Sequence, residues 1–110
     1  MYDDAAMRDL RAMFEDIVLP WPLVTTKRMF GSPCYLAAER LFAFQVSDGC
    51  VLTRLPETKA AELSGRMQVK PFLSKGKKIG RWVEVSIAGE EELAILVPYI
   101  MESYEEALKA

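Results

Sequence analysis

The side chains with chemical reach are few. Glu84 sits mid-strand beside Trp82, and a carboxylate enclosed in an apolar pocket can act as an acid or base. Asp48 lies in a turn, where aspartate is common because it hydrogen-bonds its own backbone. Cys34 and Cys50 are the two thiols. Histidine is absent, which removes the commonest general base and the commonest metal ligand together. No second carboxylate is tied to Glu84 or Asp48 by sequence, and no histidine can activate either thiol. Glu84 therefore reads as an outward-facing strand residue and the cysteines as packed thiols. Two cysteines are too few for a zinc site. The expectation is a protein that is not an enzyme and that carries no metal or cofactor.

Binding chemistry has a stronger signal. Between Arg66 and Arg81 lie Arg66, Lys70, Lys75, Lys77, Lys78 and Arg81, with no acid among them. The other 94 residues hold eight bases and sixteen acids, a balance of −8. Such a segment can meet phosphate or an acidic protein. It can equally be a solvated hairpin loop, Ser74 to Gly80, lysine-rich because edge strands use lysine against aggregation. Ser74-Lys75-Gly76-Lys77-Lys78 is not a phosphate-binding loop, which needs a second glycine, a hydroxyl after the lysine and a following helix. Trp82 adjoins the segment and can stack on a ring, although both Trp21 and Trp82 fit core or rim packing.

The elements that position these residues follow from periodicity. Met7, Leu10, Met13, Phe14 and Ile17 form a helical stripe over residues 4–18, with Asp3 or Asp4 as N-cap. Leu19-Pro20-Trp21-Pro22 ends it. Thr26–Phe30, Cys34–Ala38, Leu41–Val46 and Cys50–Leu55 read as strands of an antiparallel meander, turning at Glu39-Arg40 and at Ser47-Asp48-Gly49, where the glycine can take positive φ. Pro56–Ser64 reads as a short helix, Met67–Phe72 as a strand weakened by Pro71, and Arg81–Ile87 as a strand with Val83, Val85 and Ile87 on one face. From Glu90 the chain is helical, with a stripe of Leu93, Leu96, Val97, Ile100, Met101, Tyr104 and Leu108 and a kink or break at Pro98.

Two consequences follow from the meander. Its turns set Cys34 opposite Gln45 and Cys50 opposite Val46, two strand spacings apart at about 9.6 Å. That exceeds the roughly 7 Å a disulfide tolerates between Cα atoms, so two separate thiols are expected. Strict alternation sets Phe42, Phe44 and Val46 on one face, under Met7, Leu10, Phe14, Ile100 and Tyr104, with Phe30 joining them. Leu41, Ala43 and Gln45 take the open face.

At 110 residues, 51% apolar and 27% charged, the chain fits one globular domain with a core of its own. A net charge of −2 argues against a surface shaped wholly for nucleic acid. Met1-Tyr2-Asp3-Asp4 has acids where a signal peptide needs bases. The longest uncharged apolar run, Leu93–Met101, falls far short of the ~20 residues of a membrane span. These features predict a cytoplasmic protein with no membrane partner.

Met29-Phe30-Gly31, then Tyr35-Leu36, Arg40-Leu41-Phe42-Ala43-Phe44 and Ser47-Asp48-Gly49-Cys50-Val51-Leu52, resemble the TfoX/Sxy N-terminal domain family. Lys70-Pro71-Phe72, the strand led by Trp82 and the final helix resemble its later part, so the likeness covers residues 5–108. The chain departs from the family pattern at Ser32, at Ala38-Glu39 and at Arg54. The MmcQ/YjbR family is the second match. The resemblance implies a two-layer α+β domain over 1–110, an antiparallel sheet packed by N- and C-terminal helices, similar to secretion-chaperone-like folds. In full-length competence regulators a separate C-terminal domain follows, which this sequence does not include. No catalytic residues carry over. The functional expectation is a small regulatory module acting through contacts with a protein partner or with itself as a homodimer. The alternative is a nucleic-acid-binding domain that uses residues 66–81.

Overall fold

The computed structural model describes residues 4–29 and 31–110, with side chains from Arg8 onward. The expected N-cap and the packing of Met7 and Phe30 lie outside the described residues. In chain order the elements are α1 (Asp4–Val18), β1 (Val24–Met29), β2 (Ser32–Ala37), β3 (Arg40–Val46), β4 (Gly49–Leu52), α2 (Glu57–Ser64), β5 (Val69–Ser74), β6 (Lys77–Ser86) and α3 (Glu90–Lys109). The six strands form one antiparallel sheet in the order β1-β2-β3-β4-β6-β5, and the sheet does not close on itself. The class is α+β, as expected from short links between strands and long helical stripes at the ends.

The helices share one face of the sheet. From α1, Phe14 stacks on Tyr35 at 4.8 Å between ring centres, and from α3, Tyr104 meets Phe42 edge-on at 5.6 Å. Leu93, Leu96, Ile100 and Tyr104 of the predicted α3 stripe are buried; Leu108 is exposed, and Tyr99, Ser103 and Ala107 take buried places instead. The helix runs unbroken through Pro98. Pro98 and Ala94 are both exposed, so water can reach the carbonyl left without its donor. Val83, Val85 and Ile87 face the helices as their alternation predicts.

The register of β3 differs from strict alternation. Cys34 pairs with Phe44 and Tyr35 with Ala43, but Leu36 then pairs with Leu41, leaving Phe42 as the extra residue of a β-bulge. A bulge sets two consecutive side chains on one side. Phe42 and Ala43 are accordingly both fully buried under the helices. Beyond them the alternation is inverted. Gln45 is buried on the helix side, and Phe44 and Val46 lie on the opposite face, the reverse of the expected arrangement.

Three turns also correct the sequence reading. The β2–β3 turn is Ala38-Glu39, with φ of +51° and +68° at residues that are not glycine. Gly49 is absent from the positive-φ glycines and serves close approach instead, since a Cβ there would sit 1.9 Å from the Val85 carbonyl oxygen. The β5–β6 link is a tight turn at Lys75-Gly76, φ +52° and +79°, and not a loop across Ser74–Gly80. Cys34 lies opposite Phe44 and Cys50 opposite Gln45, one residue from the expected pairs, so the thiols occupy opposite faces of the sheet. Both are free and buried.

Candidate functional site

The face away from the helices is concave. Two features of β6 bend it. Opposite the two steps of β5 from Pro71 to Leu73, β6 takes five, from Val83 to Lys78. Gly80, at φ +47°, takes the conformation that the bend requires. The curved hairpin brings Phe72, Ser74, Ile79 and Trp82 to line one groove with Met29 and Ser32, from strands at the other side of the sheet. Leu41, Phe44 and Val46 of β3 and Cys34 of β2 complete it, around a volume of about 440 Å³.

Three rings dominate the groove. Phe44 meets Phe72 edge-on at 5.3 Å and Trp82 at 5.6 Å, and Phe72 and Trp82 lie 5.9 Å apart. All three are half-buried and none is covered by a helix. Cys34, 2% exposed, turns its thiol toward the Ser32 carbonyl at 3.4 Å. Burial pushes that thiol up in pKa, against the pull of Lys27 and Arg28. A thiol held protonated is a poor nucleophile.

Proton-transfer groups do not converge here. No carboxylate lines the groove. Glu84 lies on the same face of β6 as Trp82 and pairs with Lys70 across the strands at 3.6 Å. Asp48 is exposed in its turn. On the helix side, Cys50 is pushed up to about 12 by burial and then by Glu84. Tyr35 is raised as well, by burial and by Glu15, whose carboxylate accepts its hydroxyl at 2.7 Å. Among the described residues no cluster of three or more Cys, Asp and Glu could hold a metal ion.

Of the seven residues singled out from sequence, Lys70, Lys78, Arg81 and Trp82 come together along a second recess of about 330 Å³, beside Glu57 and Ala60 of α2, and the other three do not line it. Trp82 lines the groove. Lys75, Lys77 and Lys78 stand exposed at the hairpin turn beside it, with no ion pair to an acid among the described residues. Lys70 is engaged by Glu84, and Arg81 lies 3.9 Å from Glu57. Arg66 is exposed beyond the end of α2. Sequence reasoning missed Phe44, Phe72, Ile79 and Met29 as site residues. Their hydrophobicity was plain, but the bulges that turn them to one face carry no local signal.

No protein-family model matches the sequence, and no curated protein or solved structure matches it. No helix among the described residues is long and apolar enough to cross a membrane.

Proposed function

We propose that this chain is a non-enzymatic binding module of the regulatory kind, acting in the cytoplasm, and that it meets a protein partner through the concave face of its sheet. The observation that carries this reading is the triad of Phe44, Phe72 and Trp82, half-buried on a face that no helix covers. Aromatic side chains in a recess supply most of the energy at protein interfaces. A groove of about 440 Å³ is also within the range of built binding sites. The resemblance to TfoX/Sxy N-terminal domains, and after them to MmcQ/YjbR proteins, supports regulation by contact. The nucleic-acid reading of residues 66–81 has less support, because Lys70 and Arg81 already face carboxylates.

The test is the double variant Phe72→Ser with Ile79→Ser, which removes apolar lining without touching the side chains under the helices. Peptide-display selection on the wild-type chain should enrich sequences with large apolar anchors, and the variant should enrich none. Equal enrichment on both would set the binding surface elsewhere.

A further inference from the structure

Resting on that reading, we propose that the segment held in the groove is acidic, an apolar anchor flanked by Asp or Glu side chains. The net charge of −2 conceals a strong segregation. The three helices carry twelve acids against four bases, and the six strands carry seven bases and a single acid, Glu84. That one carboxylate is engaged by Lys70. The residues lining the groove are uncharged. On the hairpin side the charges at this face are basic: Lys77 pairs across the strands with Ser74 of the groove and so shares its face, and Lys75 stands in the turn, whereas Lys78 lies opposite Leu73 and lines the recess beside α2. Arg28, Arg40 and Arg81 are turned to other partners, the Gly31 and Ala107 carbonyls and Glu57. Lys27 adds to the rim on the β1 side, since it pairs across the strands with Cys34, on this face, and its charge is felt at that thiol. Lysines thus stand at both flanks of an apolar recess, with no free acid between them.

This pattern selects among occupants. A second copy docking groove to groove would set two basic rims together, which costs affinity. A second copy offering its acidic helix layer to the groove would make a head-to-tail contact that does not close on itself. An acidic segment of another protein meets neither obstacle, and its approach is steered by the same field.

Three synthetic peptides test the proposal. They share one apolar core of Phe and Leu and differ in their flanks, which are Asp, Ser or Lys. Binding is read from Trp82 fluorescence in a Trp21→Phe background. The Asp peptide should bind about tenfold more tightly than the Ser peptide at low salt, and the gap should close at high salt as the charges are screened. Lys27→Gln with Lys75→Gln and Lys77→Gln should erase the gap and leave Ser-peptide binding unchanged. Equal binding of the Asp and Ser peptides would overturn the acidic occupant and keep the groove. Binding of none of the three would remove the groove reading as well. A single-stranded dT oligonucleotide that displaces the Asp peptide, with the same dependence on the three lysines, would reassign the rim to nucleic acid. A dimer in light scattering that these lysine changes dissociate would reassign it to self-contact.

Discussion

Phe42 and Phe44 are two positions apart and lie on opposite faces of one strand. Phe42 is fully buried against Trp21 and Tyr104, so Phe42→Ala should cost about 3–5 kcal/mol in chemical denaturation. Phe44→Ala should cost less, because its ring is only partly buried and no helix covers it. Equal losses would mean that the bulge at Phe42 is not present in solution. Gln45 has its amide nitrogen on the Tyr35 hydroxyl at 2.7 Å, and its Oε1 is buried without a partner. Gln45→Leu removes that orphaned oxygen together with one hydrogen bond and should be close to neutral, within about 1 kcal/mol. Alkaline pH reports on the thiol behind it. Cys50 moves from an ordinary 9.0 to about 12 in the folded chain, so between those values the unfolded state loses a proton that the native state keeps. Stability is then complete below pH 9.0 and falls as pH rises toward 12, at a slope of up to about 1.4 kcal/mol per pH unit for one group. Tyr35 and Cys34, both raised, act in the same direction. Cys50→Ala should flatten the fall measured by urea titrations across that range, and an unchanged slope would show that Cys50 does not cause it.

At the scale of elements, the turns store and release strain. Ala38 and Glu39 both hold left-handed backbone, the geometry of a hairpin turn that favours Asn-Gly. Ala38→Asn with Glu39→Gly should raise stability by about 1 kcal/mol, read as a higher melting temperature, since the left-handed penalty falls at both positions. Gly49→Ala should do the reverse and unfold or shift β4, because the added Cβ would collide with the Val85 carbonyl of β6. These residues also mark where the sequence is legible. Helical stripes placed α1 and α3 nearly to the residue, since a 3.6 period over fifteen or more positions repeats its own evidence. Strand existence was equally plain. The face each strand presents was not, because a single inserted residue inverts every position beyond it. Nothing in Arg40-Leu41-Phe42-Ala43-Phe44 announces that Phe42 is unpaired. The groove was hidden for the same reason: strict alternation puts Phe44 under the helices and separates it from Trp82. The basic hairpin was visible as composition, and only its position beside that groove required the fold.

The whole molecule divides its labour between two faces and between centre and edge. β2 and β4 are buried along their full length, and β3 over much of its own; all three lie between other strands. β1 and β5 form the two edges and are exposed over most of their residues. The tip of the β5–β6 hairpin, Ser74 to Ile79, is held by its own two strands and by the groove side chains, away from the helix layer. Local opening free energy follows apolar burial and backbone protection, so the edges should open far more readily than the centre. Native-state hydrogen exchange should therefore find the slowest amides in β2, β3, β4 and the Leu93–Tyr104 part of α3, exchanging near the global unfolding rate. Amides from Phe72 to Gly80 and along the outer side of β1 should exchange much faster and show little dependence on denaturant. Adding the acidic peptide should slow exchange on both groove flanks, at Met29 and around Ile79, and leave the central strands unchanged. Uniform protection across the sheet, with no selective slowing on the flanks, would show a rigid face whose groove does not close on a ligand.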